Sequence, residues 1–87
     1  MPTWNAEINI EHTGDESTAE ARLIGKGPGP LIGKGTAHRN PADENVPAIG
    51  DELAVARALS DLAHQLLHTA VMDIEAHTHE RVERLRS

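Results

Sequence analysis

The chain reads as an α+β domain: a three-stranded antiparallel sheet (β-β-β) packed by a long C-terminal helix and a second short helix. Three observations carry that expectation. Two segments near the N-terminus alternate apolar and polar residues, a third is glycine-rich but extended, and a helical apolar periodicity follows Pro47. The sheet is expected over residues 3–39 and the helical part over 46–85 of a single domain, 1–87.

Thr3 to Glu11 places Trp4, Ala6, Ile8 and Ile10 on one face and Thr3, Asn5, Glu7, Asn9 and Glu11 on the other. Period two with one polar face marks a strand buried on one side only. Residues 12–16, with Gly14-Asp15 inside, form a turn. Ser17 to Ile24 then alternates again, with Ala19, Ala21 and Leu23 inward and Thr18, Glu20 and Arg22 outward, which completes a hairpin. The run Gly25-Lys26-Gly27-Pro28-Gly29-Pro30 lacks the donors to continue a ladder and must turn the chain. Leu31 to Arg39 forms the third strand, with Gly33, Gly35 and Ala37 on one face and Lys34, Thr36 and His38 on the other. Such small residues predict a helix lying unusually near the sheet. The pentapeptide LIGKG occurs at 23–27 and again at 31–35, too short a duplication to be a structural repeat.

Asn40 to Asn45 is a turn-rich corner, and Pro47 suits the first position of a helix. From there Val55, Leu59, Leu62, Ala63, Leu66, Leu67, Ala70 and Ile74 spread over nearly half the circumference, opposite a polar stripe of Arg57, Asp61, His64, His68 and Glu75. An unbroken helix from Ile49 to Leu85 would be roughly 55 Å long, too long for a compact domain of this size. A break is therefore expected between Thr69 and Asp73, with a second short helix running towards Arg84.

Composition narrows the function. The chain has 87 residues, 38% of them hydrophobic, with Trp4 its single aromatic and no cysteine. No disulfide framework, thiolate nucleophile or cysteine-ligated zinc can form. A small aliphatic core with no covalent staple favours oligomerisation, so a homodimer is expected. The first residues lack the basic and apolar regions of a signal peptide, and no apolar run approaches a membrane span; a cytoplasmic protein with no membrane association is expected.

The formal net charge of −6 opposes binding to nucleic acid by charge alone. Yet Arg22, Lys26, Lys34 and Arg39 fall in a stretch, 21–42, without any Asp or Glu, and are the candidate contacts for structured RNA or a ribosome. A phosphate-loop reading of the glycine-rich turn fails, because Pro28 stands where a Walker loop needs glycine and Gly35 follows Gly33-Lys34. Asp61, His64 and His68 share one helix face at zinc-ligand spacing, a remote metal alternative to an ordinary solvated face. Gln65 occupies the position of the glutamate in HExxH. No catalytic constellation is present, so no catalytic residue, cofactor or small-molecule substrate is expected.

The segment HRNPADENVPAIGDELAVARALSDLA, His38 to Ala63, resembles the signature of a family of small actinobacterial proteins of unassigned function. Arg39-Asn40-Pro41, Asp43, Val46-Pro47, Ile49-Gly50, Glu52-Leu53, Ala56-Arg57-Ala58-Leu59 and Leu62 match in order, and Trp4, Ile8 and Ile10 extend the likeness to nearly the whole chain. That family is named as similar to double-stranded-RNA-binding domains, with a fold similar to ribosome hibernation-promoting factor. The resemblance implies a three-stranded sheet, C-terminal helices, a homodimer and a role in dormancy and hypoxic or stationary-phase stress. The function it implies is a non-enzymatic protein that binds the ribosome or structured RNA and slows translation; a dimeric protein-interaction module is the alternative.

Overall fold

The computed structural model describes residues 1–40 and 46–78. Strands β1 (Asn5–Thr13), β2 (Glu16–Ile24) and β3 (Leu31–His38) form one antiparallel sheet in the order β1-β2-β3, followed by helix α1 (Pro47–Thr78). The α+β expectation of three strands and a long helix holds. Gly14, at φ 60°, takes the left-handed position of the two-residue connection between Thr13 and Glu16.

Helix α1 runs antiparallel to β3 and directly above it. A Cβ built on Gly35 would lie 2.3 Å from the carbonyl oxygen of Ala54 and the amide nitrogen of Ala58, and one on Gly33 would lie 2.3 Å from the carbonyl oxygen of Ala58. Glycine at these two positions is what brings helix backbone against sheet backbone. The buried cluster follows from that approach: Ala19, Ala21 and Ala37 from the sheet, and Ala54, Ala58 and Leu62 from the helix. Leu62 is its one large side chain, while Leu23, Leu31 and Val55 pack at its margin.

Two expectations need correction. The helix does not break between Thr69 and Asp73; it is continuous for 32 residues, roughly 48 Å at 1.5 Å per residue. The sequence after Gly50 holds neither glycine nor proline, and Thr69 donates its hydroxyl to the Gln65 carbonyl at 2.9 Å, so nothing interrupts the backbone ladder. The compactness argument fails because the helix overhangs the sheet, reaching the β2–β3 turn where Asp73 meets Lys26 at 3.8 Å. The molecule is accordingly elongated, 53 × 27 × 18 Å. No second short helix is found among the described residues, and the segment expected to form it, with Val82 and Leu85, lies largely outside them. The 41–45 part of the corner does too.

The second correction concerns β1. Its alternation is as expected, but every residue of the strand is exposed. Because α1 sits over β3 and β2, the apolar face of β1 has no cover: Ile8 is 42% and Ile10 40% accessible. Trp4, expected on the core side, is also exposed, with its ring edge against Gly25. No helix among the described residues is long and apolar enough to cross a membrane.

Candidate functional site

The four cationic residues singled out in the sequence do not converge. Arg22 and Lys34 share the outer face of the sheet, whereas Lys26 lies in the β2–β3 turn and is ion-paired to Asp73. Arg39, just past β3, is at the other end of the sheet and donates to the carboxylate of Asp15 in the β1–β2 turn. On the outer face the register sets Glu7 opposite Arg22 and Glu20 opposite Lys34, and Glu11 and Glu16 project to the same side. Four carboxylates therefore surround two cations on that face, and its field is acidic.

The polar stripe of α1 is more than a solvated surface. Arg57 donates to the Thr36 carbonyl at 2.7 Å, Asp61 accepts from the Lys34 amide at 2.9 Å, and Gln65 donates to the Ile32 carbonyl at 2.7 Å. Four helix residues advance about 6 Å and two strand residues about 6.6 Å, so side chains at i, i+4 and i+8 keep step with alternate strand positions. The outer edge of β3 is thus occupied along its length by one row of helix side chains. The signal was present as Arg57, Asp61 and Gln65 at four-residue spacing, one position before the Ala58–Leu62 stripe. A triple alanine variant of these residues should expose the β3 edge, so self-association at a fixed protein concentration should rise, as read by sedimentation velocity.

Engagement of Asp61 with the Lys34 amide and the Gln65 side chain also bears on the metal alternative. His64 meets the Ser60 carbonyl through Nδ1 at 2.8 Å. Among the described residues no three His, Cys, Asp or Glu side chains come close enough to hold an ion.

At the opposite flank of α1 a shallow apolar groove opens beside β1, lined by Ile10, Val55, Ala56 and Leu59 with Asp51 and Glu52 at its rim. Leu59 is 42% accessible, much like Ile10 across the groove and Ile8 further along β1. Sequence periodicity showed an apolar face wider than one sheet needs; the structure shows which part of it is surplus.

A deeper cleft of about 520 Å³ lies where the start of α1 meets the β1–β2 turn and the end of β3. Val46, Ile49 and Leu53 supply its apolar wall. Its polar side chains have partners close by: His12 with Asp51, Arg39 with Asp15, and His38 with Glu16 at 3.9 Å. His12 and Ser17 are direct cross-strand neighbours there, and Ser17 is buried close to Gly50. No hydrogen bond joins Ser17 to His12 among the described residues, so a nucleophile–base pair is not assembled.

Comparison with known proteins places these features in a family. The family model described as Rv2632c-like matches residues 2–83. The uncharacterized protein Rv2632c of Mycobacterium tuberculosis is 49% identical over 80 residues, covering 92% of this chain and 85% of its own length. The uncharacterized protein Mb1767 of Mycobacterium bovis is 49% identical over 77 residues, 88% of this chain and 81% of the relative. The crystal structure of Rv2632c superposes with a TM-score of 0.82 at 49% identity, covering 90% of this chain and 92% of that one. Neither likeness to double-stranded-RNA-binding domains nor likeness to ribosome hibernation-promoting factor emerges from these comparisons; the chain belongs to the Rv2632c-like family.

Proposed function

We propose that the chain is a non-enzymatic homodimer that acts as a protein-interaction module. The observation that carries this reading is the uncovered apolar strip of Ile8, Ile10 and Leu59, each about 40% accessible, on a protein whose buried cluster is mostly alanine. A monomer leaves that strip in water, whereas burial of one such side chain contributes roughly 1.5–3 kcal/mol. Sedimentation equilibrium at micromolar concentration should return twice the chain mass of 9.4 kDa. A monomer at every accessible concentration would remove the reading.

A second reading keeps the RNA or ribosome contact and the dormancy role that the sequence resemblance implies. What supports it is the open outer face shared by Arg22 and Lys34. Lys26 and Arg39 contribute less, since each is already held in an ion pair, with Asp73 and Asp15 respectively. Ribosome co-sedimentation should then be salt-sensitive and should fall roughly tenfold on Arg22→Ala/Lys34→Ala, because two phosphate contacts are lost. Pelleting that this double variant leaves unchanged would count against it, as would capture of a protein partner that resists nuclease and salt.

A further inference from the structure

The two edges of the sheet are treated differently, and the difference identifies a surface. On β3 the outward backbone groups belong to the even-numbered residues Ile32, Lys34 and Thr36, and each residue has one of them bonded to an α1 side chain: the Ile32 carbonyl, the Lys34 amide and the Thr36 carbonyl. The odd-numbered groups of β3 therefore bond to β2, whose even-numbered groups face β1 in turn. In β1 the odd-numbered residues answer them, which leaves the N–H and C=O groups of Ala6, Ile8, Ile10 and His12 directed away from the sheet. Among the described residues nothing bonds to these groups. The same four residues carry the uncovered apolar face of the strand. Open edge and open face thus coincide on β1, whereas α1 covers the inner face of β3 and sets a row of side chains along its edge.

We infer that the occupant of this surface is β1 of a second copy, paired antiparallel about Ile8 to give a continuous six-stranded sheet. The inference rests on the homodimer reading above and specifies its interface. The strand is self-complementary in that register. On the apolar face Ile8 meets Ile8 of the second copy, Ala6 meets Ile10, and Trp4 meets His12. On the outer face Glu7 meets Asn9 and Asn5 meets Glu11, so no carboxylate stands directly opposite another and like charges approach only on the diagonal, about 7–8 Å apart. Moving the two-fold axis to Asn9 sets Glu7 against Glu11 twice. Moving it to Ile10 shortens the overlap and leaves Trp4 without a partner. The axis at Ile8 also brings the two apolar grooves, each walled by Val55 and Leu59, to either side of the joined β1 strands. An unguarded edge strand is a template for such pairing, and this one has no lysine or proline to discourage it.

The chain has no cysteine, so cross-linking can report register without background. Single variants Glu7→Cys and Asn9→Cys, mixed and oxidised, should give the mixed disulfide faster than either self-disulfide. Hydrogen exchange followed by NMR should show the Ala6, Ile8 and Ile10 amides protected in the wild-type dimer. Ile8→Lys lies outside the buried cluster, so the fold should survive while the dimer dissociation constant rises roughly a hundredfold. A dimer in which these amides exchange freely, or in which Asn9→Cys cross-links with itself in preference, overturns the β1 pairing and leaves the homodimer reading standing. A wild-type monomer at every concentration overturns both.

Discussion

Gly35→Ala should lower the stability of the domain by about 1–3 kcal/mol, with the double variant Gly33→Ala/Gly35→Ala close to unfolded at 37 °C. The atoms that an added methyl group would meet at Gly35 are the Ala54 carbonyl oxygen and the Ala58 amide nitrogen, both at 2.3 Å. Both belong to helix backbone, so no rotamer change relieves the overlap and α1 must rise from the sheet as a unit. Its edge contacts through Arg57, Asp61 and Gln65 would loosen together, because all three depend on the same separation of helix and strand. For a domain of this size each kcal/mol lowers the melting temperature by roughly 4–8 °C, which differential scanning calorimetry resolves. Gly50→Ala is the control. Its Cβ would meet only the Ser17 side chain, the Cβ at an ordinary 3.6 Å and the hydroxyl at 2.8 Å, a group that can rotate, and alanine is the better helix former. If both variants melted alike, the helix would not be seated on the glycines.

Leu62→Ala should cost about 2–5 kcal/mol, the largest effect expected of any single truncation in the chain. Leu62 is 5% accessible and is the one bulky member of a cluster otherwise made of Ala19, Ala21, Ala37, Ala54 and Ala58. The buried alanines around it have no side-chain length with which to refill the space, and Leu23, Leu31 and Val55 lie only at the margin, so most of the lost volume persists as a cavity. Leu53→Ala, at a position 46% accessible, removes the same atoms and should cost far less. Urea denaturation of the two variants at equal protein concentration measures the difference. Equal midpoints would mean that α1 packs on the sheet through a different stripe.

Much of the architecture was legible because it is local. Alternation in Thr3–Glu11 and Ser17–Ile24 predicted two strands; β1 in fact starts at Asn5 and continues to Thr13, and β2 begins one residue earlier, at Glu16, so the turn is shorter than expected. Gly33, Gly35 and Ala37 predicted a close helix, and the Cβ distances bear this out. The break at Thr69–Asp73 was misplaced, since an argument from compactness stood where no local breaker did. The candidate site was less legible. Arg22, Lys26, Lys34 and Arg39 are neighbours in a chain segment free of acidic residues, but that segment is a hairpin. Its turn and its far end lie at opposite ends of the sheet, and the carboxylates that meet these cations come from Glu7, Asp15 and Glu20, before the segment, and from Asp73, well beyond it.

The order of residues by itself determined the elements: which segments extend, which coil, and which face of each is apolar, because those patterns depend on backbone periods of 2 and 3.6 residues. Only the tertiary structure decided that β1 and β2, nearly alike in alternation, have opposite fates. α1 lies where glycine lets it approach most closely, over β3, and its width reaches β2 but stops short of β1. Burial is a property of that placement, and a one-dimensional pattern carries the preference of a face for cover without specifying what covers it.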